Sequence, residues 1–216
     1  MIRRIRRRVE WLPAIALLAL PLIVLSLAAA DKPQQTIADP GYRPDGYFAP
    51  SFVEALDSTT IAVLPTLVRR TTRTAHSFAS QQQIVDHLNG RGIPASARPE
   101  RIDLGPLRHP SQWELFQYGA DSVAAAVKRY ATGADYTLVM EILVPRDQAV
   151  FGIEIYIVDR EGAHALSFLL NEHHEMFADA GLVARNSSEA ARSEMIKKAT
   201  TVGLAAFERQ LERLRE

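Results

Sequence analysis

The sequence predicts an α/β fold: a single mixed sheet in the order β-α-β-α-β-β-β-α, with helices mainly on one face and a three-strand antiparallel meander. Three patterns carry that expectation. Residues 136–144, 150–158 and 163–170 alternate apolar and polar side chains, and Pro145-Arg146-Asp147-Gln148 and Asp159-Arg160-Glu161-Gly162 between them read as tight turns. Stretches near 77–89, 111–132 and 187–214 repeat apolar residues every three or four positions, as a helix with one buried face does. Thr60 to Leu64 is a short β-branched and apolar run stopped by Pro65, which suits a strand buried on both faces.

The elements follow in order. Ser77 to Asn89 places Phe78, Gln81, Ile84, Val85 and Leu88 on one helical face, with Gly90 positioned as a left-handed cap. Residues 93–102 contain Pro94 and Pro99, which predict an edge strand or an extended link. After Pro110, Ser111 and Glu114 have capping-box spacing ahead of Trp113, Leu115, Phe116, Val123, Val127 and Tyr130; Gly119 is a candidate break and Gly133 a stop. In the meander, Tyr136, Leu138, Met140, Ile142 and Val144 share a face with Phe151, Ile153, Ile155, Ile157, Leu166, Phe168 and Leu170. The opposite face carries Thr137, Glu141, Glu154, Tyr156 and Ser167 and is expected to be solvated. A last helix starts near Ser187-Ser188-Glu189 and covers the apolar face through Met195, Ile196, Ala199, Val202, Phe207, Leu211 and Leu214.

Ahead of this domain lies an export signature. Arg3, Arg4, Arg6, Arg7 and Arg8 precede an apolar run from Leu12 to Leu27 and then Ala28-Ala29-Ala30, the three parts of a secretory signal peptide. The run is long for a signal and marginal as a span, so residues 1–30 are a signal peptide or a signal anchor; Pro13 and Pro21 favour cleavage. The domain is then expected to be periplasmic or secreted, touching the inner membrane only through residues 12–30 if they are retained. Residues 31–57, with Pro33, Pro40, Pro44 and Pro50, read as a proline-rich linker, and residues 58–216 as a single α/β domain.

Composition removes several function classes. The chain has no cysteine, which excludes disulfides, thiol nucleophiles, cysteine zinc sites and a lipidated cysteine. Basic and acidic residues balance at 25 each, but residues 1–30 hold five arginines and one glutamate, leaving 20 against 24 in the remainder. An acidic exported domain argues against nucleic acid as a partner.

Ile61-Ala62-Val63-Leu64-Pro65, Gly133-Ala134-Asp135-Tyr136-Thr137-Leu138-Val139 before the meander, and Val158-Asp159-Arg160-Glu161-Gly162 at its second turn carry a resemblance. In order of elements, about residues 60–211 resemble the bacterial envelope group that includes the TolB amino-terminal domain, the curli secretion protein CsgG and the lipoprotein activators of penicillin-binding proteins. The resemblance implies a domain that binds proteins or self-assembles and is not an enzyme. The chain departs from the lipoprotein members in lacking the cysteine, and from a CsgG-type pore in lacking long amphipathic hairpins.

Four clusters are weighed as sites. Arg69, Arg70 and Arg73, with nearby threonines, lie between the first strand and first helix, where a helix amino terminus and guanidinium forks suit an anion or an acidic partner. Glu172-His173-His174-Glu175 has the residue types of a metal site, but adjacent side chains point apart, so no metal or cofactor is expected; His164, Glu141 and Glu154 are the residues that could join it. Glu141 and Glu154 on neighbouring strands are the best case for the alternative reading, a small periplasmic hydrolase. No G-x-S-x-G, dinucleotide or P-loop motif accompanies them, and Ser77 with His76 and Ser111 with His109 lack an orienting acid. The favoured reading is an exported binding or assembly module that uses the Thr137, Glu141, Glu154, Tyr156 and Ser167 face on an envelope partner or a second copy.

Overall fold

The computed structural model describes residues 46–71, 73–104, 112–130, 132–144, 149–171, 175–182 and 188–215. The export signature, most of the linker and Glu172-His173-His174 lie outside these residues. The strands are β1 (Gly46–Phe48), β2 (Ile61–Val63), β3 (Thr66–Arg69), β4 (Thr74–Ser77), β5 (Ala95–Ala97), β6 (Tyr136–Leu143), β7 (Gly152–Asp159) and β8 (His164–Asn171). The helices are α1 (Pro50–Ala55), α2 (Phe78–Gly90), α3 (Gln112–Tyr130), α4 (Glu175–Asp179) and α5 (Glu189–Arg215).

One mixed sheet runs β1-β8-β7-β6-β2-β5, and β3 lies along the same edge of β6 as β2, with β4 outside it. The meander β6-β7-β8 is antiparallel, whereas β2 is parallel to both β6 and β5. The expected α/β architecture is therefore present. Its hinge-like junction is at Leu64-Pro65. Val63 is level with Leu138 and Leu67 with Glu141, so one extra residue sits between β2 and β3 relative to β6. Pro65 interrupts the strand without ending it.

The sheet is buried on both sides. Phe52 from α1, Ile84 and Leu88 from α2, and Met195, Leu204 and Phe207 from α5 pack on the face of Leu138, Met140, Ile142, Ile153, Ile155, Ile157, Leu166 and Phe168. On the other face, Ala120, Val123, Ala124 and Val127 from α3 pack with Leu64, Leu67, Val139, Tyr156 and Val158. This corrects the expectation of a solvated second face. Phe151, placed by alternation with the buried set, is instead exposed because the strand begins after it.

Three local features also differ from the sequence reading. Residues 46–58 belong to the fold: Ala49 N–H extends the β1–β8 pairing to the Ala165 carbonyl at 2.8 Å, and the fully buried Phe52 meets Tyr136 edge-on, centroids 4.9 Å apart. Burying a side chain of that size contributes roughly 1.5–3 kcal/mol, which fixes a segment that proline content alone marks as a linker. The stretch after Arg69 is a hairpin, closed by Arg70 N–H on the Arg73 carbonyl at 2.9 Å. The left-handed residue after α2 is Gly92, at φ 78°, and Gly90 is the last helical residue.

The second meander turn forms as expected. Asp159 Oδ1 accepts from the Glu161 and Ala163 amides at 3.0 and 2.7 Å. Asp135 ties the front of β6 to β2, its Oδ2 accepting from Thr60 N–H and Thr60 Oγ1, both at 2.9 Å, and its Oδ1 from Arg160 at 2.6 Å. The Thr60 amide and hydroxyl bonds, aided by Arg160, hold its pKa below the usual carboxylate value.

Candidate functional site

Strand β3 alternates, so Leu67 and Arg69 point to the α3 side while Val68 joins the other core. Arg69, 1% exposed, is carried beneath α3 and its Nη1 lies 2.8 Å from Glu141 Oε1. Glu141 stands directly opposite Glu154 in the β6–β7 ladder, and the Tyr156 hydroxyl, two residues along β7, donates to Glu154 Oε2. All four side chains are sealed from solvent. Thr137, hydrogen-bonded to Thr132 Oγ1 at 3.0 Å, and Ser167 are buried on the same face. The residues proposed from sequence as an interaction surface are therefore the underside of α3, and Arg69 is no anion ligand.

Electrostatics explain the cluster. Two carboxylates and one guanidinium in a dry layer would leave a net negative charge, which burial penalises heavily. Burial raises the pKa of Glu141 well above the ordinary value, and the charge of Glu154 adds to the rise. Burial raises Glu154 as well, but the Tyr156 hydroxyl offsets part of it. Desolvation, followed by the adjacent carboxylates, pushes the Tyr156 phenol far up, so it stays a donor. One proton held by the pair would make the cluster neutral, the direction in which both shifts point. This suits a structural clamp between β3, β6 and β7.

Gly119 makes the seal. It sits within an unbroken α3, and a Cβ placed there would overlap the Tyr156 hydroxyl and come within 2.9 Å of its Cζ. The glycine is a close-approach residue, where the sequence suggests a helix break.

His164 does not approach the carboxylates. It is opposite Val158, four residues along the ladder from Glu154, with its Nε2 3.6 Å from Asp121 Oδ1. Among the described residues there is no trio of metal-binding side chains. His76 Nε2 donates to the Ile102 carbonyl at 2.9 Å, and Ser77 caps α2 by accepting from Ser80 N–H at 3.2 Å. Neither is arranged as a nucleophile and base.

The solvent-facing candidate is a groove of about 740 Å³ on the other side of the sheet. Arg70 and Arg73 of the hairpin, Arg192 and Lys197 of α5, and the first turns of α2 line it. Two of the three arginines singled out from sequence thus reach a common cavity. Arg192 and Lys197 stand out in sequence, with Lys198, as cations on the polar side of the last helix that could touch anionic lipid or a partner, but only α5 laid beside α2 joins them to the hairpin arginines. A smaller cleft of about 290 Å³ near the far end of α2 is knit by the ion pair of Glu208 Oε1 with Arg91 Nε at 2.9 Å and by the contact of Glu208 Oε1 with His87 Nε2 at 3.2 Å.

No family model and no curated protein matches the chain. Among solved structures it is similar to the crystal structure of the lipoprotein GNA1162 from Neisseria meningitidis, with 15% identity over 68% of this chain and 96% of that chain and a TM-score of 0.29.

Proposed function

We propose that the chain is an exported envelope domain that works as a binding or assembly module, in the manner of the envelope group that its short motifs resemble, and that its contact surface is the groove between the β3–β4 hairpin, α2 and α5. The observation that carries this reading is the gathering of Arg70, Arg73, Arg192 and Lys197 from separate elements around one cavity in a domain whose overall charge is acidic. Opposed to it stands a hydrolase built on Glu141 and Glu154, which are 0% and 1% exposed. The export part of the reading rests on the arginines at 3–8 and the apolar run that follows.

A photo-crosslinking residue at Gln82, which lines the groove, tests the reading in cells against the same residue at Glu161, on the meander turn. A discrete product from position 82 alone is expected. Equal products from both positions, or none from either, would remove the groove as the working surface. Fusion of residues 1–45 to a reporter that is active only outside the cytoplasm tests the export signal separately, and an inactive fusion refutes it.

A further inference from the structure

We infer that the groove receives an acidic peptide segment in an extended conformation, its carboxylates spaced along the chain; this rests on the binding-module reading and specifies the partner. The walls set the shape. Gln83 Nε2 on α2 donates to Thr201 Oγ1 on α5 at 2.8 Å, and one turn further His87 meets Glu208, so the two helices run side by side in the same direction. Ala79, Gln82 and Asp86 recur along one wall and Glu189, Arg192 and Ile196 along the other, as single helical faces do. Seven residues of helix span about 10 Å, the length of roughly three residues of extended peptide.

Charge sets the chemistry. Arg73, Arg192 and Lys197 line the groove beside Arg70, which has an interaction of its own, against two carboxylates, Asp86 and Glu189. Asp86 already accepts from Gln82 Nε2 at 2.8 Å, and Glu189 lies in the first turn of α5, where it complements the helix dipole. The cations are distributed between hairpin and α5, which fits several carboxylates better than one phosphate. The entrance to α2 is also occupied by its own cap: Ser77 Oγ accepts from the Ser80 amide and donates to Ser80 Oγ at 2.9 Å. No glycine between Arg69 and Ser80 allows the backbone approach that a phosphate cradle needs.

The apolar surface sets the conformation. Val68, Ala75 and Ile196 lie among the lining residues, so a peptide with apolar side chains between its acids is matched on both counts. Ala75, His76 and Ser77 of β4 also line the groove, and among the described residues β4 pairs with β3 alone.

The test is fluorescence anisotropy with a labelled, acetylated Glu-Leu-Glu-Leu-Glu pentapeptide and its Lys-Leu-Lys-Leu-Lys counterpart. The parent is expected to bind the acidic peptide, more weakly as salt rises, and not the basic one. Combined Arg73→Glu, Arg192→Glu and Lys197→Glu should weaken binding more than about tenfold, while Arg129→Glu on α3 should leave it unchanged. All four positions are exposed or half-exposed, and an unchanged urea midpoint confirms that each variant folds. Equal binding of the two peptides, or parent-like binding by the triple variant, overturns the inference. So does saturable groove binding of inorganic phosphate or phosphatidylglycerol vesicles without peptide binding. A position-82 crosslink that persists when the peptide fails would refute the acidic ligand and leave the module reading standing.

Discussion

Glu154 faces Glu141 across the β6–β7 ladder with both carboxyls buried, and the guanidinium of Arg69 comes from β3 to reach Glu141. The arrangement couples three strands to a protonation equilibrium.

Both glutamates have folded-state pKa values above the ordinary 4.5, Glu141 the more so. A group shifted upward stabilises the fold fully below its unfolded value, and the contribution is lost as pH rises through the folded value. The pair is therefore expected to make unfolding easier as pH climbs from about 4.5 toward neutrality. Urea midpoints across that window should fall for the parent and change less for Glu141→Gln, which mimics the protonated form. Identical slopes for the two proteins would contradict the shared-proton account.

Arg69→Met keeps length and apolar bulk but leaves the carboxylates without their cation. Breaking a buried pair from one side costs about 3–5 kcal/mol at neutral pH. Adding Glu141→Gln should return part of that loss. If the double variant is less stable than Arg69→Met alone, the guanidinium serves packing and not charge balance.

Gly119→Ala tests the seal. The added methyl meets Tyr156, and overpacking of this kind costs typically about 1–3 kcal/mol. Because the Tyr156 hydroxyl is the obstacle, the same substitution in a Tyr156→Phe background should cost less. A double-mutant cycle with no coupling would separate the two residues.

Phe52→Ala asks whether residues before Ser58 hold the domain together. Removing a fully buried phenylalanine that also meets Tyr136 edge-on is expected to cost about 3–5 kcal/mol, read from chemical unfolding. A change below about 1 kcal/mol would restore the segment to linker status.

Particular residues show what was legible. The alternation of β6 to β8 was, because a two-residue period assigns faces without any tertiary knowledge. Its polar side was misread as wet, although Val139 and Val158 lie on it and the apolar stripe Ala120, Val123, Ala124 and Val127 needed a surface to cover. Hairpin β3–β4 left almost no mark, since its strands are four residues long and Arg70-Thr71-Thr72-Arg73 has none of the glycine or asparagine that signals a tight turn. Missing β3 hid Arg69, whose burial depends on belonging to a strand. Phe52 is legible as one of the aromatics, with Tyr42, Tyr47 and Phe48, that could seat this arm on the domain, but the surrounding prolines favour the linker reading; the groove is hidden because helix adjacency is not written in either helix.

The extra residue at Leu64-Pro65 acts as a frame shift within the sheet. Ile61 and Val63 face the α5 core, and strict alternation from them would send residues 67 and 69 the same way. After the insertion it is Val68 that faces that core, while Leu67 and Arg69 turn toward α3. Strict alternation at the present chain length would thus exchange the contents of the two cores, driving a guanidinium among leucines and phenylalanines and stranding Glu141, whereas a junction one residue shorter would leave Leu67 opposite Glu141 in plain register. At the present chain length it is this irregularity, neither charged nor part of the clamp, that lets Arg69 reach Glu141.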